Sequence, residues 1–143
     1  MITQRIGNCW IENCWIENCV VQRITLHGGL VLNLGDHNEL VIARPLTLRL
    51  PAAPGYPAED VLIDPDRMTG PQRSLLDFAG ATCTGTVVAD DGTLRVDLST
   101  GHRIAVGPDA HRVAWELYGK QHGFMACLPG GEVHVVRYDT QGA

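Results

Sequence analysis

The sequence predicts an α+β fold that is mostly antiparallel β, with two similar β-meanders and one helix packed against them. Short segments in which apolar and polar residues alternate indicate half-buried strands, and such segments recur along the chain. Glycine (16 residues) and proline (8 residues) are frequent among the 143 residues, so the elements are short and joined by many turns. One segment, near residue 70, carries the signals of a helix start.

The first β block covers residues 20–50. Leu30, Leu32 and Leu34 occupy alternate positions, and in Leu46–Leu50 leucine and polar residues alternate throughout. The loop 51–57 contains three prolines, which cannot donate hydrogen bonds to a ladder, so the block ends there.

The predicted helix covers residues 69–80. Thr69 and Gln72 have the Thr-x-x-Gln form of a capping box, in which each side chain accepts a hydrogen bond from the other residue's backbone. An apolar stripe follows on one side of the helix, and Gly80 is placed to end it.

The second β block covers residues 82–136. Asp91-Gly92 is the strongest hairpin signal of the chain, and the strands on either side of the turn 129–131 are predicted to pair. The segments 33–45 and 97–108 have similar patterns of apolar residues, turn and proline. This likeness predicts two similar meanders.

The N-terminus contains an internal repeat. Asn-Cys-Trp-Ile-Glu at residues 8–12 recurs unchanged at residues 13–17, and Asn18-Cys19 begins a third copy. A period of five fits neither a strand nor a helix, which leaves a pentapeptide solenoid, a cysteine metal site, or a duplication that lengthens a strand or tail. We favour the duplication, and therefore predict an N-terminal extension over residues 1–19 and a single α+β domain over residues 20–140.

The repeat also offers candidate binding residues. In an extension, Trp10 with Ile11 and Trp15 with Ile16 are expected to be exposed. Two exposed Trp-Ile pairs form a hydrophobic patch of the kind that becomes an interface. The sequence therefore predicts a protein partner, with self-association through the extension as one form of it.

Charge argues against two classes of partner. The net charge is −5 and the arginines are scattered singly, whereas binding to nucleic acid or to an anionic membrane needs clustered bases. No apolar run reaches the roughly 20 residues of a membrane helix, and residues 1–5 lack the features of a secretory signal. We therefore expect a cytoplasmic protein whose five cysteines are reduced.

Three sets of reactive side chains are present, and none is predicted to form a site. The sets are Asp60, Asp64 and Asp66; His122, Cys127 and His134; and Asp97, Ser99 and His102. The first lacks the glycine and glutamate of a calcium loop, and the second lacks zinc-finger spacing, with Cys127 expected on the less buried face of its strand. The third lies within one hairpin, where its members would point to different faces. No metal, cofactor or catalytic residue is predicted, and an enzyme is not favoured.

The end of the chain resembles a known family. Trp115-Glu116-Leu117-Tyr118-Gly119, followed by Leu128-Pro129-Gly130-Gly131-Glu132, is similar to the W-E-L-x-G … L-P-G-G-E ending of an uncharacterised family of small actinobacterial proteins classed as a domain of unknown function. The resemblance covers about residues 19–136 and implies no activity. Its two carboxylates, Glu116 and Glu132, join Trp10 and Trp15 as the candidate binding residues.

The motif also has a structural interpretation. Trp115 is expected to be buried among Leu117, Phe124 and Leu128, because an alternating strand places its large ring on the core face. Glycines 130 and 131 supply the positive φ angles of a tight turn.

The function that these observations favour is non-enzymatic protein binding. Immunity and antitoxin proteins provide an analogy of size and charge. The alternative is a small-ligand-binding domain, or an unrecognised enzyme, with its pocket between the two meanders.

Overall fold

Two antiparallel sheets make up the computed structural model, which describes residues 14–137. Sheet I has the spatial order β1 (Val21–Leu26), β2 (Leu30–Leu34), β3 (Asn38–Ile42), β9 (Trp115–Gly119), β10 (Gly123–Cys127), β11 (Val133–Arg137). Sheet II has the order β5 (Glu59–Ile63), β4 (Leu46–Leu50), β8 (Arg103–Val106), β7 (Leu94–Leu98), β6 (Cys83–Val88). The predicted, mostly antiparallel β architecture is confirmed.

The two β blocks exchange strands. The meander β1–β3 lies in sheet I and leads into β4 and β5 in sheet II, whereas the meander β6–β8 lies in sheet II and leads into β9 and β10 in sheet I. The two exchanges are equivalent: the last strand of each meander pairs with the first strand that follows the other meander, β3 with β9 and β8 with β4. Each meander also has a register shift at its start, between Val21 and Arg23 in one and between Cys83 and Gly85 in the other. Both sheets therefore depend on both halves of the chain.

The core is formed by the inward-facing side chains of both sheets. Trp115 is fully buried, and its indole Nε1 donates a hydrogen bond to the Gly92 carbonyl at 2.9 Å, so the predicted burial of this ring is confirmed. Phe124 is not one of its core neighbours, because it lies on the other face of β10 beside Tyr118. The expected exposure of Cys127 is wrong, since its thiol is fully buried on the core side.

The helix α1 (Gly70–Ser74) is shorter than predicted. Its capping box is confirmed, because the backbone N–H of Gln72 donates to Thr69 Oγ1 and that of Thr69 donates to Gln72 Oε1, both at 3.3 Å. None of its five residues is buried, and the segment packs on the core through Leu75, Leu76 and Phe78, which follow the helix. The helix ends at Ser74, and six residues later the Gly80 N–H joins the chain to β1 by donating to the Val21 carbonyl at 2.7 Å.

The second copy of the repeat belongs to the core. Cys14 and Ile16 are buried and Trp15 is 9% exposed, so the expectation that Trp15 and Ile16 form an exposed patch is wrong. The next two residues, Asn18 and Cys19, fix the segment to the start of β6 by backbone hydrogen bonds, from Asn18 N to Cys83 O at 2.8 Å and from Cys83 N to Cys19 O at 2.9 Å. The core therefore includes residues that precede the predicted domain start at residue 20. Trp10 and the first copy lie outside the described residues.

The Pro-Gly-Gly turn packs against the Asp91-Gly92 hairpin. A Cβ atom on Gly131, whose φ is +101°, would lie 2.3 Å from the Asp91 carbonyl oxygen, and a Cβ on Gly92 would lie 2.6 Å from the Gly131 oxygen. Only glycine allows the two backbones to approach this closely. The motif that carries the family resemblance thus has a packing role at this end of the molecule.

Candidate functional site

The solvent-facing side of sheet I, called the outer face here, carries the best-formed candidate site. One cross-strand row runs across all six of its strands: Arg23, Asn33, Glu39, Tyr118, Phe124 and Val136. The neighbouring row is Thr25, Val31, Val41, Glu116, Ala126 and His134. Because strand side chains alternate, these residues lie on the side of the sheet away from the core, where Val31 and Ala126 are buried by their neighbours and the others are partly or fully exposed. The outer face thus combines apolar side chains with carboxylates.

Tyr118 is the exposed aromatic residue of this face. It is 41% exposed, and its ring lies 5.0 Å from that of Phe124 at an angle of 50°, the tilted geometry that aromatic pairs favour. Its hydroxyl donates a hydrogen bond to the Glu116 carboxylate, two residues away on the same face. This hydrogen bond, together with partial burial, raises the pKa of Tyr118 to about 12. The hydroxyl therefore stays protonated, and the ring is held in place.

Two concavities lie along the row. The larger, about 510 Å³, is polar and is lined by Gln22, Arg23, Asn33, Leu34, His37, Asn38 and Glu39. The smaller, about 320 Å³, is lined by Tyr118, Gly119, Lys120, Gly123 and Phe124. Both lie on sheet I, rather than in the predicted position between two separate meanders.

A cluster of polar and aromatic side chains supports one end of the face. The β2–β3 turn contains Asp36 (φ +65°) and His37 (φ +59°), a conformation that costs energy for residues other than glycine. It places the Asp36 carboxylate 2.5 Å from His122 Nε2 in the β9–β10 turn, and the Trp15 ring stacks on the His122 ring at 6.3 Å and 11°. Three segments distant in sequence therefore meet beside the two concavities.

Below the turn lies a buried amide, Asn38, which is 2% exposed. Its Nδ2 donates to the Gly35 carbonyl at 2.8 Å, and it lies 3.7 Å from the Cys19 sulfur. The neighbouring Gly119 leaves the space that this packing needs, because a Cβ there would lie 2.7 Å from both Asn38 Oδ1 and Trp15 Nε1. The amide fixes the turn that carries Asp36.

The Cys19 thiol beside this cluster is not an activated nucleophile. Burial raises the pKa of Cys19, and the Asp36 carboxylate raises it further, against a smaller lowering by the Asn38 hydrogen bond. A reactive cysteine requires the opposite, an environment that favours the thiolate. Cysteine, histidine and aspartate thus lie near one another without the electrostatics of a catalytic site.

The four predicted binding residues do not lie together in the fold. Glu116 lies in the centre of the outer face, hydrogen-bonded to Tyr118. Glu132 is exposed in the β10–β11 turn, at the end of the sheet opposite to the β9–β10 turn that holds His122. Trp15 is buried and supports the site from within, and Trp10 lies outside the described residues.

The sets considered for metal binding and catalysis are held apart. Within residues 14–137, no three side chains of His, Cys, Asp or Glu are grouped so that they could hold a metal ion. Of the hairpin set, Ser99 Oγ accepts from the Thr82 N–H at 2.9 Å, Asp97 accepts from Arg103 at 2.6 Å, and His102 contacts Thr100 at 2.7 Å. These three side chains are engaged in separate structural contacts.

Comparison with known proteins identifies the family. A model described as "Family of unknown function (DUF6188)" matches residues 12–137. The chain belongs to the DUF6188 family. No curated protein and no solved structure gives a significant match. The resemblance to a family of unknown function is thereby confirmed, and the actinobacterial origin stays a prediction.

The family match of this DUF6188 chain includes the segment that we expected to precede the domain. It begins at residue 12, so it contains the second copy of the repeat, and it ends with β11. In the part of the chain that the structure describes, no helix is long and apolar enough to cross a membrane.

Tyr118, Asp36 and His122 belong to this site but are not among the residues predicted from the sequence. Tyr118 was a member of the motif, and its spacing of two from Glu116 was a usable signal that both share a strand face. Asp36 and His122 gave no such signal, because 86 positions separate them. Pairing of β3 with β9 is what brings their turns together.

Proposed function

We propose that this DUF6188 chain is a non-enzymatic protein-binding domain that binds its partner through the outer face of sheet I. The observation that carries the proposal is Tyr118, an exposed tyrosine on a sheet face that packs against the half-buried Phe124 and is hydrogen-bonded to Glu116. Tyrosine is a frequent anchor of protein interfaces, because its ring buries a large area at a small entropic cost and its hydroxyl fixes orientation.

The chemistry of the face indicates the kind of partner. Carboxylates at Glu39 and Glu116 flank the exposed ring, and the chain as a whole has a net charge of −5. A partner surface with an apolar centre and lysine or arginine at its rim would match this pattern, and the opposite charges would speed the encounter. Toxin neutralisation is the form of binding that the acidic charge and small size suggest by analogy. The predicted self-association through the extension is not carried by Trp15, whose ring is buried.

The chain provides a matched pair of variants to test this proposal. Tyr118→Ser removes the ring from the outer face, whereas Tyr56→Ser removes a tyrosine that is 75% exposed in the loop between β4 and β5. We expect a partner captured by cross-linking in native cells to bind the purified wild type and Tyr56→Ser equally, and Tyr118→Ser at least roughly 30-fold more weakly. A captured partner that binds Tyr118→Ser as tightly as the wild type would refute the proposal, as would the recovery of none.

A second candidate function is supported by the larger concavity. Its polar lining, with Arg23, His37 and Glu39, could orient a small polar molecule. A thermal-shift screen against metabolites tests this, because a ligand that binds the folded state must raise the melting temperature. Any such shift should disappear in Arg23→Ala, and it should persist in Tyr56→Ser.

A further inference from the structure

The solvent-facing side of sheet II gathers three arginines around a small residue. One cross-strand row consists of Asp60, Arg49, Arg103, Asp97 and Gly85, in spatial order. The next row consists of Leu62, Thr47, Ala105, Arg95 and Val87. Ala105 therefore lies directly between Thr47 and Arg95, with Arg103 two residues away on its own strand. Arginines that are scattered in the sequence thus form a cluster here.

Two carboxylates hold these arginines without neutralising all of them. Arg49 donates to both oxygens of Asp60, from Nε at 2.9 Å and from Nη2 at 3.3 Å. Asp97 accepts from Arg103 Nε at 2.6 Å and lies 3.8 Å from Arg95 Nε. Three guanidinium groups against two carboxylates leave one positive charge in excess, on a chain whose net charge is −5.

Arg49 lies directly opposite Arg103, and each of the two is paired with a carboxylate on its other side. Like charges in directly opposed positions of antiparallel strands destabilise a sheet. Asp60 and Asp97 offset part of this repulsion, and an anion bound between the two guanidinium groups would offset it further. Each guanidinium has five N–H donors, and the contacts to Asp60 and Asp97 engage only a few of them.

Above Ala105 the surface is concave. A space of about 210 Å³ is lined by Thr47, Arg49, Asp60, Arg95, Arg103 and Ala105. The methyl group of Ala105 leaves this space open, whereas a larger side chain at the same position would fill it. The arginine side chains are between 39% and 46% exposed, so a ligand in solution can reach them.

We propose that this concavity binds a phosphate group, either as inorganic phosphate or as a phosphate monoester. A tetrahedral dianion presents enough oxygens to accept from all three guanidinium groups, whereas a carboxylate presents two. Thr47, which also lines the space, carries a hydroxyl that can donate one more hydrogen bond. This site is separate from the outer face of sheet I, and it does not depend on the function proposed for that face.

Amide NMR spectra recorded at constant ionic strength and near-neutral pH test the proposal. The probes are inorganic phosphate and O-phosphoserine, with acetate as the carboxylate control. We expect saturable shifts confined to β4, β7 and β8 with one or both phosphate probes. Binding of both supports a general phosphate site, and binding of a single probe assigns the source as the free ion or the ester.

Three variants make the outcome specific. Arg103→Gln should weaken binding roughly tenfold or more, because it removes a charged donor. Ala105→Leu keeps all three arginines but fills the space, and it should weaken binding by a similar factor. Arg112→Gln removes an exposed arginine that pairs with Asp109 at 3.8 Å elsewhere, and it should change nothing.

The proposal is overturned by either of two results. One is the absence of saturable shifts with both phosphate probes, or shifts that acetate reproduces at the same concentration. The other is unchanged binding in Arg103→Gln and Ala105→Leu, while their spectra show that both variants are folded.

Discussion

Truncation of Ile16 measures directly whether the second copy of the repeat belongs to the core. The Ile16 side chain is fully buried, so Ile16→Ala removes three carbon atoms from the core. At about 0.8 kcal/mol for each buried methylene, the lost transfer energy is about 2.4 kcal/mol. The cavity that remains adds to this, and truncations of this type cost about 2–5 kcal/mol in total. We expect the free energy of unfolding to fall by about 3–4 kcal/mol.

Urea unfolding under reducing conditions, followed by tryptophan fluorescence, provides the measurement. Leu62→Ala is the matched control, because Leu62 is an aliphatic residue of the same size that is 66% exposed on β5. Its truncation should change the free energy of unfolding by no more than about 0.5 kcal/mol. If Ile16→Ala and Leu62→Ala behave alike, residues 14–16 do not pack in the core, and the argument for their structural role fails.

Three other predictions concern the turns, the tyrosine and the topology. Gly130→Ala should lower the free energy of unfolding by about 1–2 kcal/mol, because of its positive φ alone. Gly131→Ala should lower it by more than about 3 kcal/mol, because its Cβ would also lie 2.3 Å from a backbone oxygen. Equal losses in urea unfolding would contradict this. The pKa of Tyr118, followed by ultraviolet absorbance, should be about 12 and should return toward 10.0 in Glu116→Gln. Because the folded pKa lies above the unfolded one, the stability that this hydrogen bond contributes is complete below pH 10 and is lost as the pH rises through about 12. A single cut between β5 and α1 should leave two fragments that co-elute in gel filtration, since both sheets contain strands from both halves, and fragments that elute separately would refute the exchange of strands.

Much of the local structure could be predicted from the sequence. The alternation at Leu46–Leu50, the hairpin at Asp91-Gly92 and the capping box at Thr69 all lie where their patterns indicated. Each of these signals depends on residues that are neighbours in the chain. The chemistry of a turn or a cap is complete within about four residues, so tertiary context changes it little.

The length of the helix and the face of Cys127 could not be predicted in the same way. The segment after Ser74 has a helical pattern, yet it packs on the core through Leu75, Leu76 and Phe78 and joins β1 by the hydrogen bond from Gly80 to Val21. Phe124 is predicted on the buried face of its strand and Cys127 on the opposite one, and the structure reverses the two, because alternation defines two faces without saying which one is buried. In both cases a distant segment decided the outcome.

The candidate sites depended still more on the fold. Arg49, Arg95 and Arg103 are isolated in the sequence, and only the pairing of β4 with β8 and of β8 with β7 gathers them over Ala105. Asp36 and His122 meet because β3 pairs with β9. No local pattern encodes such contacts, since they require two strands from different halves of the chain to become neighbours.

Residue order alone determined the strands, the turns and the acidic charge of this protein, because each follows from composition or from short-range geometry. Tertiary structure alone decided the fate of the repeated pentapeptide. Its second copy is predicted from the sequence to be a surface addition, but in the fold Cys14 and Ile16 are buried in the core, and the Glu17 carboxylate accepts a hydrogen bond from the Thr86 N–H of β6 at 3.0 Å. The physical reason is that burial is a property of the space between packed elements, and that space exists only once distant strands have paired.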